Sequence, residues 1–117
     1  MRTKSETGNY GEKLAAEFLQ SHGYIIRERN YRYRRLEIDL IAEKKDLVIF
    51  IEVKARTKTY FGLPEEAVDE KKADKIIEAA DHYVYEINWN GNIRFDIISV
   101  ILSGEQPTIK HFEDAFY

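Results

Sequence analysis

The sequence predicts an α/β domain, a mixed β-sheet flanked by helices in the order αβββαββ, and three observations carry that reading. Apolar residues recur at helical spacing over residues 8–22 and again over 68–85. Two apolar runs of strand length, 36–42 and 47–51, follow one another across a short charged turn. A further apolar run, 93–102, comes after the second helix, and a crossover helix makes the strands on either side of it parallel where they pair.

The first helix is expected over 8–22. Gly11, Leu14, Ala15, Phe18 and Leu19 share one face, Thr7 or Asn9 can cap the start, and Gly23 can end it. Residues 1–7 are read as flexible. Glu12 lies one turn before Ala15 and Ala16 and so leaves the helix from the edge of its buried face, where an acid needs a reason. Residues 24–33 then read as an extended segment that starts apolar and becomes arginine-rich.

Strand 36–42 carries Asp39 in its middle, and the turn Glu43-Lys44-Lys45-Asp46 leads into the run Leu47-Val48-Ile49-Phe50-Ile51, which finishes in Glu52-Val53-Lys54. Because side chains alternate along a strand, Glu52 and Lys54 share one side, Val53 takes the other, and Glu37 shares the side of Asp39. An antiparallel meander of these strands brings Asp39 near Glu52 and Lys54. Residues 55–64 have no clear period and hold Gly62 and Pro64, so they read as a loop leaving that point.

The second helix is expected over 68–85, with Pro64, Glu65 and Glu66 in the turn before it. Its apolar stripe is Val68, Ile76, Ile77, Ala80 and Val84, and Lys71, Lys72 and Lys75 punctuate its early turns. Trp89-Asn90-Gly91-Asn92 is a turn signal. Strand 93–102 is apolar on both faces, the pattern of an interior position, and residues 108–112 form a short edge strand after a last turn.

With 117 residues the chain is read as one domain, 1–117, too short for a second core. It has no cysteine, which excludes a disulfide framework, a cysteine-ligated zinc site and thiol catalysis. No apolar stretch approaches the roughly 20 residues that span a bilayer, and the first residues lead into no signal core, so a cytoplasmic protein without membrane association is expected. The net charge of -3 is unevenly spread. Between Tyr24 and Leu36 five arginines face one acid, giving that segment +4 and leaving -7 for the remainder. A basic strip therefore survives an acidic total, which keeps nucleic acid open as a partner.

Two carboxylates and an ammonium converging at the end of a sheet suit metal-assisted phosphodiester hydrolysis. Asp39 and Glu52 can hold a hard divalent cation, and Lys54 can act on the attacking water. Two carboxylates about 4 Å apart repel by some 4 kcal/mol at an effective dielectric near 20, so such a pair either keeps a proton or takes a cation. His22, His82 and His111 show no metal-ligand spacing; His22 is expected at a helix C-terminus.

Asp39 followed by Glu52-Val53-Lys54 resembles the D…(D/E)xK signature of the restriction-endonuclease-like (PD-(D/E)xK) fold, and Glu12 on the preceding helix resembles the arrangement in archaeal Holliday-junction resolvases. The wider string is similar to the YraN-like family of small bacterial proteins regarded as endonucleases. It comprises Gly11-Glu12, Ala15, Phe18-Leu19, Gly23-Tyr24, Arg29-Asn30, Glu37-Ile38-Asp39-Leu40-Ile41, Phe50-Ile51-Glu52-Val53-Lys54, Arg56, Glu66-Ala67-Val68, Lys71 and Arg94-Phe95-Asp96. Leu36 departs from the glycine usual in that family before Glu-Ile-Asp.

The resemblance implies a Mg²⁺- or Mn²⁺-dependent endonuclease acting on branched, flapped or single-stranded DNA in repair or recombination. Asp39, Glu52, the Val53 carbonyl and Glu12 would serve the metal, with Glu12, Asp39, Glu52 and Lys54 as the catalytic set. A homodimer fits the likeness to junction resolvases. Arg29, Arg32, Arg34, Arg35, Arg56, Lys58 and Lys71 are the expected nucleic-acid contacts, with Tyr31 and Tyr33 available to stack on unpaired bases. Two rivals stay open: a non-cutting nucleic-acid-binding accessory module of the same fold, and an acidic protein-interaction domain.

Overall fold

The computed structural model of the chain describes residues 3–57 and 68–116. Its elements are α1 (Lys4–Ser21), β1 (Ile25–Tyr33), β2 (Leu36–Lys44), β3 (Leu47–Arg56), α2 (Glu70–Glu86), β4 (Asn92–Ile101) and β5 (Thr108–Phe112), the expected αβββαββ order. The five strands lie in chain order across one sheet. Neighbours are antiparallel except β3 and β4, which run parallel because α2 carries the chain back to the end where β3 began.

Helix α1 starts a turn before the apolar pattern does. Thr3 accepts a hydrogen bond from the Glu6 backbone N–H at 3.1 Å while the Glu6 carboxylate accepts from the Thr3 N–H at 3.2 Å, a reciprocal cap that holds residues 4–7 in the helix rather than loose ahead of it. The other end follows expectation. Gly23, at φ +89°, lets its N–H reach the Gln20 carbonyl and the Tyr24 N–H reach Leu19, so the chain turns sharply into β1. His22 occupies the C-cap.

Helix α2 begins at Glu70, two residues later than its apolar stripe, because the Asp69 side chain caps it by accepting from the Lys72 N–H at 2.8 Å. Val68 precedes the helix and is still buried. Ala55 and Arg56, expected in a loop, extend β3 alongside Val100 and Ile101 of β4. Lys58, Pro64, Glu65 and Glu66 lie outside the described residues.

Each helix covers one face of the sheet. Ala15, Ala16 and Leu19 of α1 pack on Leu40, Ala42, Ile49, Ile51, Ile98 and Val100. On the other face Ile76, Ala79, Ala80 and Tyr83 of α2 pack on Ile38, Ile41, Val48, Phe50, Phe95 and Ile97. Both sides of β3 and β4 are thus covered, which is why those strands read as continuous apolar runs. The chain end is tied down by Asp96, fully buried on β4. It accepts two bonds from Arg94 at 2.8 Å, one from the Asp114 N–H at 3.0 Å, and faces His111 Nε2 at 2.7 Å. Burial alone would raise its pKa, but these partners hold it below the usual carboxylate value.

Gly11 sets how closely α1 approaches β3. It is buried, and a Cβ built on it would overlap the Cβ of Ala55. Gly11→Ala gains about 1 kcal/mol of helix propensity but meets a contact with no flexible side chain to yield, an overpacking cost of about 1–3 kcal/mol. A net loss of stability is expected in urea melts, partly recovered by adding Ala55→Gly. A more stable single variant would show that the helix can lift freely.

Candidate active site

The ladder between β2 and β3 runs from Lys44↔Leu47 to Leu40↔Ile51 and stops there. Beyond it, the Val53 N–H donates to Asp39 Oδ2 at 2.8 Å, so a carboxylate takes the place of the missing strand carbonyl. A residue's N–H and C=O leave a strand on the same edge, which directs the Val53 carbonyl into the same gap. β2 is irregular here. Ile38 and Leu40 are two apart yet pack in opposite layers, and across from them Asn30 takes φ 52° between the pairs Arg29↔Leu40 and Tyr31↔Ile38. Counting by twos therefore does not carry through Asp39, and the expected shared side of Glu37 and Asp39 loses its basis. Glu37 pairs with Arg32 at 3.0 Å instead.

Burial first, and the charge of Glu52 next, push Asp39 up to about 8, against the opposing pull of the Val53 N–H and of Lys72. Glu52 is 7% exposed, and its Oε1 lies 2.5 Å from Lys72 Nζ. Lys54 is held below the ordinary lysine value by burial and then by the cations of Arg56 and Lys72, with Glu52 and Asp39 opposing. Glu12 is raised mainly by burial. A hydrogen bond from the Asn30 side chain opposes that rise, and the charges of Glu37 and Glu52 add to it. Glu12, Asp39, Glu52, Lys54 and Lys72 thus share one electrostatic neighbourhood.

Glu12 does not join the two strand acids in a three-carboxylate cage, and among the described residues no such group of three is assembled. Its α1 side chain is engaged with Asn30, and Glu52 is engaged with Lys72. The donors facing the gap are two carboxylates and a carbonyl, all oxygen. This set fits Mg²⁺ or Mn²⁺, hard ions commonly held by one or two carboxylates with water and substrate oxygens completing the shell.

Lys72 is the site residue that sequence reasoning passed over in favour of Lys71, which is exposed. The signal was present: Lys72 continues the stripe of Ile76, Ala79, Ala80 and Tyr83 one turn toward the N-terminus, so it points at the sheet. Asn30 and Ser99 were missed too. Ser99 is in register with Lys54 across β3 and β4, and its buried Oγ has no hydrogen-bond partner among the described residues.

The basic strip is partly committed. Arg27 bonds Glu43 at 2.7 Å, Arg32 bonds Glu37, and Arg34 lies 5.0 Å from the centre of the Tyr33 ring. Arg29 is exposed on β1, and Arg56 is exposed at the end of β3. The two tyrosines expected to stack on bases are engaged by α2. Tyr31 sits edge-on to Tyr83 and donates to Glu86 at 2.7 Å, and Tyr33 stacks on His82 at 3.8 Å. Beside the acids, a cleft of about 370 Å³ opens between the start of β2 and the first turns of α2, with Arg35, Lys71, Lys72 and Lys75 among its walls.

This geometry defines a class: small α/β proteins in which one acid from β2 and one from the end of the central strand β3 lie near each other, attended by two lysines. The chain belongs to UPF0102, an uncharacterised protein family whose model matches residues 11–100, a stretch holding Glu12, Asp39, Glu52, Lys54 and Lys72. It is 40% identical to a UPF0102 protein of Flavobacterium psychrophilum over 100% of this chain and 98% of that one. A UPF0102 protein of Bacteroides thetaiotaomicron is 41% identical over 100% and 97%. One from Caldanaerobacter subterraneus subsp. tengcongensis is 44% identical over 97% and 96%. These matches support the family-level part of the resemblance, and their names carry no activity. Among the described residues no helix is long and apolar enough to cross a membrane.

Because the folded Asp39 holds its proton up to about 8 against an ordinary 3.8, the native state binds a proton the unfolded chain releases, and this contribution to stability is lost as pH rises through that window. Asp39→Asn cannot ionise and keeps an acceptor for Val53. In EDTA it should equal the parent near pH 4 and become progressively more stable than it toward pH 9 in urea melts. A variant weaker than the parent at the higher pH would show that the carboxylate is not under strain.

Proposed function

We propose that this protein is a metal-dependent endonuclease of the restriction-endonuclease-like class, working in the cytoplasm on branched, flapped or single-stranded DNA during repair or recombination. The single observation that carries the reading is the half-buried Asp39 beside the buried Glu52 in the gap at the end of β3. Burial and the charge of Glu52 both raise the proton affinity of Asp39, and a divalent cation held between the two acids would relieve both effects.

Asp39, Glu52 and the Val53 carbonyl would hold Mg²⁺ or Mn²⁺, whose bound charge offsets the negative charge growing on the attacked phosphate. Lys54 Nζ orients the attacking water and takes its proton, and its lowered proton affinity favours that role. Glu12 steadies the water from the α1 side. Arg29, Arg34, Arg35 and Arg56 supply phosphate contacts, while Arg32 must share itself with Glu37.

A second reading is favoured by the Lys72–Glu52 ion pair. If Lys72 serves permanently as the cation of the acid pair, the protein binds nucleic acid without cutting it. The two readings differ in what manganese does. Lys72→Ala leaves Glu52 and Asp39 facing each other, so in EDTA it should lower stability by about 1–2 kcal/mol. Under the nuclease reading Mn²⁺ recovers that loss, and calorimetry shows tighter Mn²⁺ binding to the variant than to the parent. Under the binding-only reading Lys72 already serves the acids of the parent, so the parent takes no Mn²⁺ and only the variant does.

Labelled junction, flap and linear DNA incubated with Mg²⁺ or Mn²⁺ test the activity itself. Cleavage should fall by about 100-fold or more in Asp39→Asn, Glu52→Gln and Lys54→Ala with the fold intact. Equal residual cleavage in all three would reveal a contaminating enzyme and end the proposal.

A further inference from the structure

Beside the acid pair, the cleft between β2 and α2 has walls that carry opposite charges of unequal freedom. Its two acids are already committed: Glu37 pairs with Arg32, and Asp69 caps α2. Of its cations only Lys72 is engaged, through Glu52; among the described residues no ion pair holds Arg35, Lys71 or Lys75. Lys71 and Lys75 are four apart on α2, so they lie as like charges on one helix face, where they repel each other. Half-buried Leu36 adds apolar surface among these charges, above the core residue Ile76, which is 3% exposed.

An apolar patch under uncommitted cations matches a ligand with one flat, weakly polar part and one anionic part. A nucleotide has that form. The volume, about 370 Å³, belongs to small-ligand sites and holds a single unit rather than a stacked pair of strands. Lys72 belongs both to the cleft wall and to the Glu52 ion pair, so one residue joins the cleft to the acid pair, while Asp39 and Glu52 themselves lie outside its walls.

We propose that this cleft is a nucleotide subsite that takes one unpaired residue of a single strand next to the bond to be cut, its phosphate on Arg35 and Lys75 and its base against Leu36. The proposal rests on the nuclease reading for the phrase "next to the bond to be cut", and on the cleft alone for the binding. It narrows the substrate class, because a base locked in a duplex cannot enter without being pulled from its stack. Single-stranded tails and flaps are then the preferred ligands, and continuous duplex is held only by charge.

The test uses the full chain in EDTA, with a fluorescent oligothymidine of about eight nucleotides and a blunt duplex as separate probes. Binding of the oligothymidine should shift the backbone amide signals of Leu36, Lys75 and Ile76 in NMR spectra. Arg35→Ala with Lys75→Ala should weaken it about tenfold or more and flatten its salt dependence, a clearly larger loss than the same two missing charges cause in duplex binding. Leu36→Ser should weaken the oligothymidine and leave the duplex unaffected. Undiminished oligothymidine binding by the double variant, equal losses for both probes, or shifts confined to the Arg29 side of β1 would overturn the proposal. Manganese calorimetry on the same proteins, dialysed free of EDTA, reports on Asp39 and Glu52 independently, so a failed metal site and a failed cleft give different results.

Discussion

The hydrogen bond from the Val53 N–H to the Asp39 carboxylate is the constraint on which the site depends. A buried strand N–H must find an acceptor, and where β2 leaves β3 after the Leu40↔Ile51 pair no carbonyl is offered. Asp39 fills that need with one oxygen and is thereby drawn partway into the gap beside Glu52. The parting of the strands, the partial burial of the acid and its raised proton affinity are one event seen at three levels. Its positive counterpart comes from α2, where Lys72 reaches Glu52 from the opposite layer.

The three-layer arrangement makes this convergence possible. Glu12 comes from α1, Lys72 from α2, and Asp39, Glu52 and Lys54 from the sheet between them. Only at the end of the sheet, where two strands separate, can groups from the two faces sense one another. The parallel pairing of β3 with β4 matters here. It sets Ser99 beside Lys54 and leaves the far edge of β3 to the gap.

Much of the fold was legible in the sequence, since apolar period and turn residues mark every helix and strand in the right order. The boundaries that moved did so for polar reasons: a reciprocal cap at Thr3 and Glu6, and an Asp69 cap that outweighs the apolar Val68. In the site, Asp39, Glu52 and Lys54 were legible because charges inside apolar strands are conspicuous. Lys72 was less so, because a lysine early in a helix passes for a solvated one unless the stripe is followed past its last apolar member. The engagement of Tyr31 and Tyr33 by Tyr83 and His82 was not legible at all. It depends on where α2 lands, and that is a contact between residues some fifty positions apart. The slip in β2 at Asp39 likewise needs the partner strand to be known before it can be seen.

The close seating of Gly11 against Ala55 has a consequence for the neighbouring acid. Glu12 is the next residue along, so the depth to which its carboxyl can extend toward the gap is governed by the width of a single absent methyl group. The helix behaves as a stop with almost no clearance: it holds the acid's root at one standoff distance, and a slightly thicker spacer would retract the side chain without altering its chemistry. Reach at this corner of the molecule is therefore a property of the smallest residue there, not of the charged one.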